Sequence, residues 1–171
     1  MIEVELTPDM LSRAKQKAKE MGRLRNSITK GEGNVAGFLG EEMVLKTFNN
    51  FKRENTYDSD IHFYHIKFEV KTKRCTSVPL SHYECSIANS NPNQKSEYYI
   101  FCRVLENYKK GWILGYIGQG DYIKKAIFRR KGEPDGDTGW KFKADCYNLP
   151  ISNLKDPAKL YKVNDYKPDT K

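Results

Sequence analysis

The chain has 171 residues, 38% of them hydrophobic and 30% charged, with 30 Lys and Arg against 22 Asp and Glu for a net charge of +8. That length supports a single domain with its own core, and no apolar run reaches the ~20 residues a membrane-spanning helix needs. The start of the chain lacks the basic head and apolar stretch of a secretory leader, so a cytoplasmic location is expected, and the basic excess points to a polyanion, of which nucleic acid is the commonest.

Thr7-Pro8-Asp9 reads as a helix start, with Thr7 as cap, Pro8 in the first helical position and Asp9 in the first turn. Met10, Leu11, Ala14, Ala18 and Met21 give that helix an apolar side, and Gly22 is its expected stop. Arg23 to Gly33 is polar and glycine-bearing and reads as a loop that can touch DNA through Arg23, Arg25 and Lys30. Asn34 then caps a second helix over Val35 to Phe48, apolar around much of its circumference and therefore buried. It nevertheless carries Glu41 and Glu42. A carboxylate near the core needs a partner, because an unpaired buried charge is costly, so one of the two is expected to face a cation.

A hairpin follows. Asp58 to Tyr64 and Ile66 to Lys73 both alternate apolar and polar residues, which predicts two strands. Asp58, Asp60 and His62 share one face of the first, and Lys67, Glu69, Lys71 and Lys73 one face of the second. A loop over Tyr64 to Lys67 pairs Phe63 with Phe68 and sets Asp60 across from Lys71. Further strands are expected at Tyr98 to Leu105 and Trp112 to Ile117, with a polar loop before them over Asn89 to Lys95. A short helix is expected over Tyr122 to Phe128, a loop over Gly132 to Gly139, a short strand over Trp140 to Tyr147, and a last helical turn from Leu149. Cys75, Cys85, Cys102 and Cys146 form no C-x-x-C pair and, with three histidines, no zinc set, so reduced thiols are expected.

Two acids and a lysine on one strand face make chemical sense around a divalent cation. Carboxylates at short range repel, and one stays protonated unless a cation intervenes. Mg²⁺, for which Mn²⁺ substitutes, prefers oxygen ligands and takes one or two carboxylates while keeping waters and phosphate oxygens. Lys71 then serves as a phosphate-facing cation that orients or helps deprotonate the attacking water. Neither a histidine base nor a serine nucleophile is needed.

The order of Gly40-Glu41 on a helix, Asp60 on a strand and Glu69-Val70-Lys71 on the next resembles the PD-(D/E)XK nuclease superfamily. The resemblance covers roughly residues 34 to 105. It implies a restriction-endonuclease-like α/β (α+β) fold with an αβββαβ core and a mixed central sheet flanked by helices. It also implies metal ligation by Asp60, Glu69, the Val70 carbonyl and the helix glutamate. No proline precedes the acid, which leaves Asp58 beside Asp60 as a candidate; Gly-Glu spacing favours Glu41 over Glu42. The expected function is a Mg²⁺-dependent DNA endonuclease; the alternative is a nuclease-like fold that binds nucleic acid without cutting it. Lys73, Arg74 and the cluster Arg129-Arg130-Lys131 are further candidate phosphate contacts. No organic cofactor and no membrane are implied. A homodimer is expected, since two strands must be cut. Free-standing nucleases of this kind are frequent in phages, which implies a host cytoplasm. The domain reads as a basic N-terminal helix and loop (1–33), a core (34–160) and a polar tail (161–171).

Overall fold

The computed structural model describes residues 1–21, 34–54, 59–89, 96–134 and 141–165, those from 162 on as backbone only. In chain order it contains β1 (Ile2–Glu5), α1 (Pro8–Met21), α2 (Asn34–Thr47), β2 (Lys52–Arg53), β3 (Ile61–Phe63) and β4 (Ile66–Cys75). There follow β5 (Glu84–Ala88), β6 (Tyr98–Leu105), β7 (Lys110–Gly118), α3 (Gln119–Lys125), β8 (Ile127–Arg129) and β9 (Cys146–Pro150). Two 3-10 segments, Ile151–Asn153 and Pro157–Asp165, come last. The fold is mixed α and β. Six strands form the central sheet in the order β1-β7-β6-β4-β3-β2, and three form a second sheet in the order β5-β9-β8. The β4–β6 pair is parallel and the other pairs are antiparallel, so the central sheet is mixed.

The first helix starts as its sequence dictates: the Met10 amide donates to Thr7 Oγ1 at 3.3 Å, so the threonine side chain satisfies one of the unpaired amides of the first turn. On β6 and β7 neighbouring residues serve opposite faces. Ile100, Cys102, Val104 and Ile113 join Met10, Leu39 and Met43 on the side of α1 and α2. Tyr99, Phe101, Trp112 and Leu114 join Cys85, Ile87 and Leu149 of the second sheet, with Tyr122 of α3. Burial on both faces explains why Tyr98 to Leu105 reads as a continuous apolar run.

The central sheet is therefore covered by helices on one face and by a second sheet on the other, rather than flanked by helices alone. The α3 to β9 segment supplies a closing helix and, in β9, a closing strand, but β9 lies between β5 and β8 in the second sheet and does not extend the central one. The Tyr122 to Phe128 segment divides into the end of α3 and the start of β8, and the strand expected over Trp140 to Tyr147 begins at Cys146 and runs to Pro150. Nor is the N-terminal segment an appendage: β1 pairs with β7, and Val4, Leu6, Met10 and Ala14 are part of the main core. The tail's first residues continue the 3-10 segment, and 166–171 lie outside the described residues. Among the described residues no helix is long and apolar enough to cross a membrane.

Gly40 sets how closely α2 approaches the sheet. A Cβ there would overlap Thr72 Oγ1 and sit 3.1 Å from Thr72 Cβ, so only glycine lets the helix lie against β4 at this level. Gly40→Ala is expected to cost about 1–3 kcal/mol, the usual range for overpacking. Thr72→Ala in the same chain should recover much of that loss, as urea denaturation of the two variants would show.

Candidate active site

The β3–β4 hairpin turns more tightly than the sequence suggests. Ile61 pairs with Phe68, His62 with Lys67 and Phe63 with Ile66, which leaves Tyr64 and His65 alone at the turn. Tyr64 takes a left-handed backbone conformation at φ 52°. The register thus differs by two residues from the one that pairs Phe63 with Phe68. An even slip keeps each paired side chain on its face, but the pairing ends at Ile61 and Phe68, so Asp60 is not set across from Lys71.

Strand β3 begins only at Ile61, whereas β4 continues to Cys75, where among the described residues β6 is its one strand partner. Asp60 sits at the point where the two part. Its backbone amide still donates to the Phe68 carbonyl at 3.1 Å, and its side-chain Oδ2 accepts from the Val70 amide at 2.8 Å. A carboxylate thus replaces the next strand residue as partner of the β4 edge. In a strand the N–H and C=O of one residue leave on the same side, so the Val70 carbonyl faces the same opening. Lys71 Nζ donates to Glu69 Oε1 at 2.6 Å, and Glu69 is 7% exposed.

Glu41 comes from the other face. Helix α2 packs on the Phe68, Val70 and Thr72 side of β4, opposite to Glu69, so Glu41 is positioned beside the edge that β3 vacates. Burial and then the neighbouring Asp60 push its pKa up to about 8, against the pull of Arg53 and Lys17, with Glu69 adding to the rise. Burial and then Glu69 push Asp60 up to about 7, against the Val70 amide, Lys71 and Arg53. Three carboxyl groups on three elements therefore feel one another's charge.

The helix glutamates have protein partners that sequence reasoning missed. Arg53 of β2 pairs with Glu41 through Nη1 and with Glu42 through Nη2, the latter at 2.6 Å. Arg13 of α1 holds Glu42 from the opposite side, with Nη2 at 2.7 Å and Nε at 2.9 Å. The signal in the sequence was the need of two buried acids for cations; the identity of the cations depends on long-range packing. Lys17 Nζ is buried near the same group, over the Phe38 ring at 5.7 Å, and has no hydrogen-bond partner among the described residues. Burial, then the Arg53 charge, lowers its pKa.

Of the two helix acids, Glu41 is thus the one coupled to Asp60 and Glu69, while Glu42 closes an arginine clasp. Asp58, Arg23, Arg25 and Lys30 lie outside the described residues. Lys73 and Arg74 follow Lys71 along β4. Arg129, Arg130 and Lys131 lie at the end of β8, the edge strand of the second sheet, away from β3 and β4. There Arg129 pairs with Glu133 at 2.8 Å, and the Arg130 and Lys131 amides donate to Glu133 and Asp145. The charged turn is tied together by local acids.

Among the described residues no three His, Cys, Asp or Glu side chains form a ready-made metal cage. The donors that remain for a cation are the Asp60 and Glu69 carboxylates and the Val70 carbonyl. These are hard oxygen donors, and two carboxylates are as many as Mg²⁺ usually takes from a protein.

The raised acids predict an unusual pH dependence. With ordinary values of 3.8 and 4.5 and folded values of about 7 and about 8, Asp60 and Glu41 hold protons in the folded chain that the unfolded chain releases. Stability of the metal-free protein is therefore expected to fall as pH rises from about 4 to about 8, and to level off above that. Thermal melts across that range with a chelator present would check it. Mg²⁺ should raise the melting temperature more at pH 8 than at pH 6.

No protein-family model matches this chain, and a search of curated proteins returns no match.

Proposed function

We propose that this chain is a Mg²⁺-dependent DNA endonuclease of the PD-(D/E)XK type, with Asp60, Glu69 and Lys71 as its centre. The observation that carries the reading is that Asp60, held by the Val70 amide beside β4, feels the charges of Glu69 and Lys71, which pair with each other. With the two-residue β2 and the second-sheet strand β5 set aside, α2, β3, β4 and β6 follow in αβββ order, and the chain's +8 charge suits a polyanionic substrate.

Asp60 and Glu69 would hold the ion, with the Val70 carbonyl as third protein donor. When bound, the ion supplies Lewis acidity: it makes a bound water nucleophilic at neutral pH and stabilises charge on the phosphoryl oxygens. The Val70 amide fixes the Asp60 carboxylate. Glu69 fixes Lys71, whose ammonium can then orient the water or meet the phosphate. Arg53 holds Glu41 beside the pair and keeps it on the helix side of the opening.

The test is incubation of the purified chain with plasmid, single-stranded and branched DNA in Mg²⁺ or Mn²⁺. Cleavage that stops with chelator is expected. Salt-sensitive DNA binding without cleavage on any substrate would instead favour a non-catalytic binding module.

A further inference from the structure

Lys73 and Arg103 are register partners on the parallel strands β4 and β6. They stand side by side on the face turned toward the second sheet, one pleat repeat (about 6.6 Å) beyond Lys71. Both line a cavity of about 90 Å³ between the sheets that Lys71 also borders. Lys73 Nζ donates to Ser86 Oγ at 2.6 Å and reaches the Glu84 carbonyl at 3.5 Å. Arg103 Nη2 donates to the same carbonyl at 3.1 Å, and its guanidinium lies over the Tyr83 ring at 5.1 Å.

The cations therefore spend these bonds on a hydroxyl and a peptide carbonyl. One carboxylate of the cavity wall, Glu84, acts on Lys73 through its charge, after the stronger effects of burial and Arg103, which lower the lysine's pKa. Glu69 answers Lys71. Like charges directly opposite each other destabilise a strand pair, and a tie between two sheets needs no such pair. An oxyanion between the two side chains would compensate both charges at once.

We propose that Lys73 and Arg103 form a phosphate subsite, holding the backbone phosphate next to the one at the Asp60–Glu69 centre. The strand to be cut then runs along β4. This rests on the nuclease reading for the identity of the neighbouring site, but its test does not require cleavage.

The full chain, in chelator, is titrated against a fluorescent single-stranded oligonucleotide at several KCl concentrations. Lys73→Gln is expected to weaken binding about 5- to 20-fold at low salt and to lower the salt slope by about one. Lys124→Gln, on α3, should change neither. Arg103 also ties Glu84 and Tyr83, so Arg103→Lys is paired with Arg103→Gln: the lysine variant should keep the slope and the glutamine variant lower it by about one. Unchanged affinity and slope in Lys73→Gln would overturn the subsite, whether or not the wild type cuts DNA. Lys73-dependent binding by a chain that cuts nothing would uphold the subsite while removing the nuclease reading.

Discussion

Asp60→Asn and Glu69→Gln are each expected to abolish Mg²⁺-dependent cleavage, and Asp60→Asn to leave the metal-free fold as stable as before or more so. The loss should exceed the roughly 10–100-fold that follows from changing a group which only orients a metal ligand, because each change removes one of two anionic donors. The stability effect runs the other way. At pH 8 Asp60 is charged in the unfolded chain, and the folded chain must desolvate it beside Glu69 and Glu41. An amide has no charge to desolvate, so Asp60→Asn should raise the melting temperature of the chelator-treated protein at pH 8. The difference should shrink near pH 4, where the native carboxyl is also neutral. Lys71→Ala should likewise lose cleavage, by the ~10²–10⁴-fold typical of a positioned proton-transfer group, while binding DNA with modestly reduced affinity. Gel assays of cleavage alongside thermal melts of the same samples separate this pattern from unfolding, which would lower both.

Arg53→Met is expected to be the most destabilising single change near the site. Its guanidinium spans Glu41 and Glu42, whose side chains are 7% and 9% exposed. Removing one member of a buried pair strands the other, at about 3–5 kcal/mol. For a chain of this size that is roughly a 10 °C fall in melting temperature. Arg13 still holds Glu42, so the cost falls chiefly on Glu41. The Glu41 pKa of about 8 gives a signature: the full cost is expected above pH 9, where the acid is charged, and it should be small at pH 5, where Glu41 is protonated and needs no cation. A pH-independent loss would mean that Arg53 acts through packing alone.

Local chemistry was legible along this chain, and long-range pairing was not. The Thr7-Pro8 start of α1, the apolar girth of α2, and the strands β4, β6 and β7 follow from caps and periodicity. The strand parity that puts Glu69 and Lys71 on one face of β4 was readable as well. The register of the β3–β4 hairpin was not, because the turn rests on Tyr64 in a left-handed conformation usually announced by glycine or asparagine. The second sheet escaped because β5 and β8 are five and three residues long, and their partner β9 lies far along the chain. The short β1 escaped in the same way, since it pairs Ile2 with Ile113, far along the sequence. Within the site, the acids were readable from their types and spacing, whereas Arg53 and Arg13 were not. Nothing local to residues 13 or 53 shows that they meet on a helix at 41 and 42.

The most direct test of the central claim is anomalous scattering from crystals of the full chain grown with Mn²⁺. The account predicts a Mn²⁺ peak at the end of β3, coordinated by the Asp60 and Glu69 carboxylates and the Val70 carbonyl, and lost in Glu69→Gln. Well-ordered Asp60 and Glu69 with no peak between them at saturating Mn²⁺, or a peak held by other residues, would contradict it.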